Sequence, residues 1–156
     1  MSDEELRRPY RLARAIGINH VALEVGDIDE ALSWYSRFVD FELRGKRRTM
    51  AWIDLGDQFI AFSAGRRQGP DDGRHFGLVV DDKQAVRAAL IDAGVDVASS
   101  GRLRLHDPWG NSIEIVDYRD VQFTKAPSVL SALAPEGLEK TDAARAELAR
   151  KGLGGG

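Results

Sequence analysis

The sequence contains no cysteine among its 156 residues. This absence excludes disulfides, thiolate zinc sites, iron–sulfur clusters and cysteine nucleophiles. Histidine is also scarce, because the chain has only His20, His75 and His106. A metal site in this chain therefore has to combine a few imidazoles with oxygen ligands.

Long apolar runs and a large excess of one charge are lacking as well. No run of about 18 apolar residues occurs, so we expect no transmembrane helix and no membrane partner. The formal net charge is −3, so a broad electrostatic hold on nucleic acid is not expected. The N-terminus is acidic and lacks the apolar core of a signal peptide. We therefore expect a cytoplasmic protein.

The predicted secondary structure repeats along the chain. The first half is predicted to contain a strand, a helix and three strands, at residues 18–25, 27–38, 41–46, 49–55 and 58–63. After a linker over residues 65–73, the second half repeats this order at residues 74–80, 82–93, 95–98, 102–106 and 112–118. His20 and His75 then occupy equivalent positions in the two halves, 55 residues apart.

We therefore predict an α+β fold in which two βαβββ modules form a curved mixed sheet around a cleft, followed by a C-terminal helical tail. The predicted boundaries are an N-terminal arm at 1–15, one domain at 16–119 (module 1 about 16–64, module 2 about 74–119) and the tail at 120–156. Within the tail, residues 136–151 are predicted to form a helix. We interpret the tail as an appendage that packs on the domain or covers a dimer interface.

Alternation along the predicted strands places three potential metal ligands on one face of the sheet. The large aliphatic side chains of these strands should cover the helix of their own module. His20, His75 and Glu114 then point away from the helices and into the cleft. Two imidazoles and one carboxylate are the ligands of a divalent transition-metal site that keeps positions open for water or substrate.

The residues around these ligands resemble the vicinal oxygen chelate superfamily, which includes glyoxalase I, extradiol dioxygenases, fosfomycin-resistance thiol transferases and bleomycin-binding proteins. The resemblance covers about residues 16–119. It is carried by the doubled module and by Asn19-His20-Val21, Gly26-Asp27-Ile28, Trp34-Tyr35, His75-Phe76 and Asp107-Pro108-Trp109-Gly110-Asn111-Ser112-Ile113-Glu114. It implies a divalent metal ion, such as iron, manganese, zinc or nickel, in a cleft to which each module contributes one side.

The chain also departs from the pattern of this superfamily. Glyoxalase I has a fourth ligand, a Glu on the last strand of its first module, where this chain has Ala61, or Ile60 if the turn shifts by one residue. The dioxygenases and fosfomycin enzymes carry a Tyr ten residues before the Glu ligand, where this chain has Arg104. The fosfomycin enzymes have a Thr two residues after the first His, where this chain has Ala22. The resemblance therefore implies a three-ligand site but none of these activities intact.

A catalytic role is predicted for Arg104. Arg102, Arg104 and His106 alternate with leucines, so they should share the cleft side of their strand. A guanidinium near the middle of this strand favours a carboxylate, phosphonate or enolate oxygen beside the metal. The structural alternative is a salt bridge from Arg104 to Asp54 or Glu24.

Three hypotheses of function follow. The first is a small metalloenzyme, a dioxygenase, lyase or transferase, whose small and anionic substrate chelates the metal through adjacent oxygens. The second is a metal-independent protein that binds or sequesters a small molecule, and the third is a scaffold whose tail mediates dimerisation. By analogy with the superfamily we expect a homodimer. Whether His20 and Glu114 meet within one chain or across two is open.

Overall fold

The computed structural model describes residues 12–154 of the chain, so residues 1–11 of the predicted N-terminal arm lie outside the described range. The elements in this range are β1 (His20–Val25), α1 (Ile28–Tyr35), β2 (Glu42–Lys46), β3 (Met50–Asp54), β4 (Phe59–Ala64), β5 (Phe76–Val80), α2 (Lys83–Asp92), β6 (Leu103–His106), β7 (Ser112–Asp117), α3 (Pro127–Leu133) and α4 (Asp142–Arg150).

The strands form two mixed sheets. In the first, β1 pairs in parallel with β4, and β3 joins β4 to β2 through antiparallel pairs. In the second, β7 pairs in parallel with β5 and antiparallel with β6. The predicted α+β fold of two modules with a helical tail is therefore confirmed. Strands β1 and β5 are edges of separate sheets, so the mixed sheet is divided between the modules.

An aspartate begins the helix of each module. Asp27 accepts a hydrogen bond from the backbone N–H of Glu30 at 2.9 Å, and Asp82 accepts from the N–H groups of Gln84 and Ala85 at 3.0 Å. Such side-chain oxygens satisfy the unpaired N–H groups of a first helical turn. The helices are thereby anchored directly after β1 and β5, and their apolar faces cover the sheets.

Burial along β1 follows the predicted alternation. Leu23 and Val25 are buried in the core, whereas His20, Ala22 and Glu24 are exposed on the opposite face. The large aliphatic residues of β7 are buried in the same core cluster. The face that carries the potential ligands is therefore the one that points away from the helices.

The strand predicted at residues 95–98 is wrong, because this segment forms no strand in the structure. The buried side chain of Arg87 donates hydrogen bonds to the backbone carbonyl of Ala98 and, at 2.6 Å, to that of Gly101. These two carbonyls thus accept hydrogen bonds from the guanidinium and not from a neighbouring strand. The second sheet has three strands, in the order β5, β7 and β6.

The tail forms two helices, and the single helix predicted over residues 136–151 starts too early. Helix α4 begins at Asp142, after Thr141 accepts a hydrogen bond from Ala144 N at 3.3 Å. Before it, Lys140 donates to the backbone carbonyls of three residues, Tyr118, Val121 and Phe123. These bonds hold the segment before α4 against the loop that follows β7.

The tail also reaches module 1, because Lys125 Nζ donates to the carbonyl of Leu55 at 2.8 Å. Ala144 and Leu148 of α4 are buried, as a packing appendage requires. Of the helices between residues 12 and 154, none combines the length and the apolar character needed to cross a membrane.

Candidate metal centre

Strands β5 and β7 bring His75 and Glu114 together. Glu114 pairs with Gly77, and His75 lies two residues before Gly77, hence on the same face of the sheet. Gly77 carries no side chain that could separate the two groups. His75 Nε2 lies 3.6 Å from Glu114 Oε2. The structure therefore joins two of the three predicted ligands.

The orientation of the His75 ring is set by the backbone. Its Nδ1 lies 3.0 Å from the carbonyl oxygen of Gly73, and because a carbonyl only accepts, Nδ1 carries the hydrogen. In the neutral ring, Nε2 then presents a lone pair to the carboxylate of Glu114. An imidazole nitrogen and a carboxylate oxygen are both donor atoms that a divalent metal ion binds. A hydrogen bond of this kind on the far nitrogen is typical of histidines that bind metals.

Two arginines surround Glu114. Arg102 Nε lies 3.2 Å from Glu114 Oε1, although the Arg102 side chain is 73% exposed. Arg104 donates from Nε to Ser112 Oγ and from Nη2 to the carbonyl of Asp72, both at 3.1 Å. Strand alternation predicted that both arginines share the face of Glu114, but it did not predict which of them contacts the carboxylate.

Arg104 retains hydrogen-bonding capacity. A guanidinium has five N–H groups, and Arg104 uses two of them in these bonds. Within the described residues, the guanidinium forms no ion pair with Asp54 or Glu24, the predicted structural alternatives. Three N–H groups therefore remain for an anionic oxygen.

His20 lies apart from this pair. Its Nδ1 is 2.9 Å from the side-chain oxygen of Asn19, and its ring stacks on Phe59 with centroids 4.8 Å apart and planes at 8°. Between residues 12 and 154, no group of three His, Asp or Glu side chains is placed to hold a metal ion. The structure thus brings together His75 and Glu114 and leaves His20 outside their site in the same chain.

Module 1 has no counterpart of Glu114. The pairing of Ala22 with Ala61 in module 1 corresponds to that of Gly77 with Glu114 in module 2. Ala61, one of the two positions considered for a fourth ligand, therefore occupies the equivalent place. Its methyl group cannot bind a metal.

The turn before β7 is held by a buried aspartate that also contacts module 1. Asp107 accepts from Trp109 N at 3.0 Å, Asn111 N at 2.9 Å and the hydroxyl of Tyr35 at 2.9 Å. Burial, together with the charge of Asp107, raises the pKa of the Tyr35 hydroxyl. Asn111 also donates to the carbonyl of Glu24 at 2.9 Å. These bonds fix the strand that carries Glu114 against β1 and α1.

A pocket of about 470 Å³ lies between β1 and β5. His75, Glu24, Arg66, Arg74 and Asn111 are among the residues that line it. One of the two joined ligands therefore borders a cavity between the modules. This cavity is large enough for a small molecule.

Comparison with known proteins gives one family match and several similar structures. A family model described as the Glyoxalase/Bleomycin resistance protein/Dioxygenase superfamily matches residues 17–115. No curated protein matches the chain.

Three solved structures illustrate the structural similarity. A glyoxalase family protein from Bacillus anthracis is 23% identical, with a TM-score of 0.58 over 69% of this chain and 98% of that chain. A fosfomycin resistance protein from Listeria monocytogenes is 11% identical, with a TM-score of 0.57 over 67% of this chain and 94% of that chain. Lactoylglutathione lyase from Agrobacterium tumefaciens is 19% identical, with a TM-score of 0.54 over 68% of this chain and 96% of that chain. At these identities the similarity shows the fold alone.

Proposed function

Because the chain belongs to the Glyoxalase/Bleomycin resistance protein/Dioxygenase superfamily, we propose that it is a metal-dependent enzyme acting on a small substrate that chelates the metal through adjacent oxygens. The observation that carries the proposal is the 3.6 Å approach of His75 Nε2 to Glu114 Oε2, with the opposite ring nitrogen held by Gly73. Imidazole and carboxylate donors suit iron, manganese, zinc or nickel.

The third ligand in this proposal is His20, supplied by a second copy of the chain. His20 lies apart from the other two ligands within one chain. Its Nδ1 is engaged by the side-chain oxygen of Asn19, which leaves Nε2 with the lone pair that a metal needs. In a symmetric dimer, each chain would give His20 to one site and receive it at the other.

The arginines around Glu114 bind and orient the substrate in this proposal. The three N–H groups of Arg104 that remain after its bonds to Ser112 and Asp72 would pair with a carboxylate or enolate oxygen. Arg102 holds Glu114 Oε1 and so fixes the direction of the other carboxylate oxygen. A bound divalent ion supplies Lewis acidity or, if it is iron, oxygen activation.

The reaction is a lyase, transferase or dioxygenase reaction that requires no fourth protein ligand. A glyoxalase I reaction is disfavoured because Ala61 stands at the module 1 position equivalent to Glu114. Arg104, which lies opposite Glu114 on β6, stands where the dioxygenases and fosfomycin enzymes have a tyrosine. A guanidinium binds anionic oxygens through its N–H groups and does not transfer protons as a tyrosine hydroxyl can.

Metal analysis of protein purified without a chelating tag tests this proposal. We expect the wild type to hold metal, and His75→Ala and Glu114→Gln to lower the metal content about tenfold or more, because each removes a ligand. His106→Ala is the matched control, since the His106 ring contacts the carbonyl of Asp71 rather than the ligand pair. Wild type without stoichiometric metal after reconstitution with each of the four ions would contradict the proposal.

A second candidate function is metal-independent binding of a small molecule in the pocket between β1 and β5. The observation that favours it is the ion pair between Arg102 and Glu114, which can satisfy the carboxylate without a metal. Ligand binding that persists in strong chelator and survives the His75→Ala change would favour this function over the first.

A further inference from the structure

Module 1 carries a second pocket, of about 480 Å³, formed by residues of β2, β3 and β4 and of the turn after β2. We refer to it as the arginine–aromatic pocket, and its lining residues are Arg44, Gly45, Lys46, Arg47, Trp52 and Phe59. The ring of His20 stacks on Phe59 at 4.8 Å. The pocket therefore adjoins one of the proposed metal ligands.

A β-bulge directs Arg44 toward this pocket. Leu43 pairs with Ile53 and Gly45 pairs with Trp52, so Arg44 is an extra residue on β2 without a partner on β3. Bulges re-aim side chains and are frequent beside active sites. Here the guanidinium carbon of Arg44 lies 5.1 Å from the centroid of the Phe59 ring.

Gly45 leaves the Trp52 ring accessible beside a second arginine. A Cβ atom at Gly45 would come within 3.4 Å of the Trp52 ring, so a larger residue there would cover this ring. The guanidinium carbon of Arg47 lies 5.7 Å from the centroid of Trp52. The pocket thus presents two flat aromatic surfaces, each with a flat cation next to it.

The two arginines have no carboxylate partners among residues 12–154, whereas the charge of Lys46 is paired with Asp29. Guanidinium groups bind carboxylates through two parallel hydrogen bonds and stack on flat rings. As far as residues 12–154 are concerned, Arg44 and Arg47 therefore supply positive charge that no carboxylate neutralises.

We propose that the arginine–aromatic pocket binds an aromatic carboxylate, with the carboxylate on Arg44 and Arg47 and the ring against Trp52 and Phe59. This inference deepens the proposed function and rests on it, because it names the substrate class of the enzyme. Because Phe59 stacks on His20, the bound ring would lie beside the ligand that this chain is proposed to give to the metal site of a second copy.

An NMR titration of the full-length, isotope-labelled protein with benzoate tests the inference. The titration is run twice, in EDTA and after metal loading. Benzoate should shift the backbone amides of residues 44–47 and the indole N–H of Trp52 under both conditions. Benzyl alcohol, which lacks the charge, and acetate, which lacks the ring, should bind about fivefold or more weakly.

Variants locate the binding site. Arg44→Gln and Arg47→Gln should each weaken benzoate binding about fivefold to tenfold, because each removes a charge-assisted contact. Arg48→Gln is the matched control, because it makes the same charge change in the same segment but does not line the pocket. Unchanged binding in both Arg44→Gln and Arg47→Gln would overturn the inference, as would equal binding of benzyl alcohol.

The two proposals fail in different ways. Benzoate binding only in the presence of metal, with shifts confined to the surroundings of His75 and Glu114, would support the metal site and overturn the arginine–aromatic pocket. Binding at residues 44–47 in a protein that takes up no metal would support the pocket and overturn the metal site. Absence of benzoate shifts under both conditions, including absence because a second copy covers this face, overturns the inference.

Discussion

At the residue scale, Asp117 is the carboxyl group of the second module whose pKa is clearly lowered. It ends β7 and accepts hydrogen bonds from Arg119 Nε at 2.9 Å, Arg119 Nη2 at 2.8 Å and Lys83 N at 3.0 Å. The bond from the Arg119 guanidinium, with smaller help from backbone N–H groups, lowers the pKa of Asp117 to about 2. The side chain thereby connects the end of β7 to the first turn of α2.

The lowered pKa predicts how stability depends on pH. The usual pKa of aspartate is about 3.9, so the charged form is stabilised by folding above about pH 4, and this contribution is lost as the pH falls toward about 2. Asp117→Asn should lower the free energy of unfolding by about 2 kcal/mol near pH 6. The difference from wild type should shrink toward pH 2, as measured by urea unfolding.

The exposed Asp96 of the same module forms no side-chain hydrogen bond or ion pair with any other described residue. Asp96→Asn therefore serves as the control and should leave stability within about 0.5 kcal/mol of wild type. If Asp117→Asn lowered the free energy of unfolding equally at pH 6 and near pH 2, the charge of Asp117 would not contribute to stability. That result would contradict the prediction.

At the scale of elements, the segment after α2 shows where periodicity misleads. Val95, Asp96 and Val97 alternate as a strand does, but a strand also needs a neighbour to pair with. In the structure the segment does not pair with the open edge of β6, and Arg87 instead donates to the carbonyls of Ala98 and Gly101. No local pattern reveals an arginine on the preceding helix as the partner of a later segment, so this prediction failed for a non-local reason.

Replacing Arg87 should loosen this segment. Arg87→Leu leaves two carbonyls without their charged donor, so we expect the free energy of unfolding to fall by about 3 kcal/mol. Amide hydrogen exchange should accelerate at residues 95–101 before it does elsewhere in the module.

The exposed Arg150 at the end of α4 offers a control for this change, because Arg150→Leu removes an arginine from a helix without removing such contacts. Exchange at residues 95–101 that is as slow in Arg87→Leu as in wild type would show that the guanidinium does not hold the segment.

At the scale of the whole molecule, the alternation of side chains predicted the ligand face but not the assembly of the site. His75 and Glu114 lie at neighbouring positions of two paired strands in one sheet. Their proximity therefore follows from side-chain alternation and from the pairing of these two strands. His20 lies on the edge strand of the other sheet. The distance between His20 and Glu114 depends on how the two sheets are oriented relative to each other. The spacing of residues along the sequence does not predict that orientation.

Subunit mixing tests whether a second copy completes the site. His20→Ala and Glu114→Gln should each bind little metal alone, but a mixture refolded together should regain about a quarter of the wild-type content. Half of the randomly formed dimers are then hybrids, and each hybrid contains one site with all three ligands. Metal analysis after refolding gives the readout.

The control mixture combines His75→Ala with Glu114→Gln. These changes affect the same half of the site, so no hybrid contains a complete ligand set and no metal should return. Equal results from the two mixtures would show that His20 of one chain does not serve the site of the other.

The unequal modules have a consequence for how such a chain can diverge. Ala61 stands where its repeat holds Glu114, so the second sheet presents a carboxylate at this position and the first sheet does not. If the second module holds the metal and the first binds the substrate, as proposed, substitutions in β2 and β4 would alter substrate preference without disturbing β5 and β7. A new substrate would then require changes in only one of the two modules.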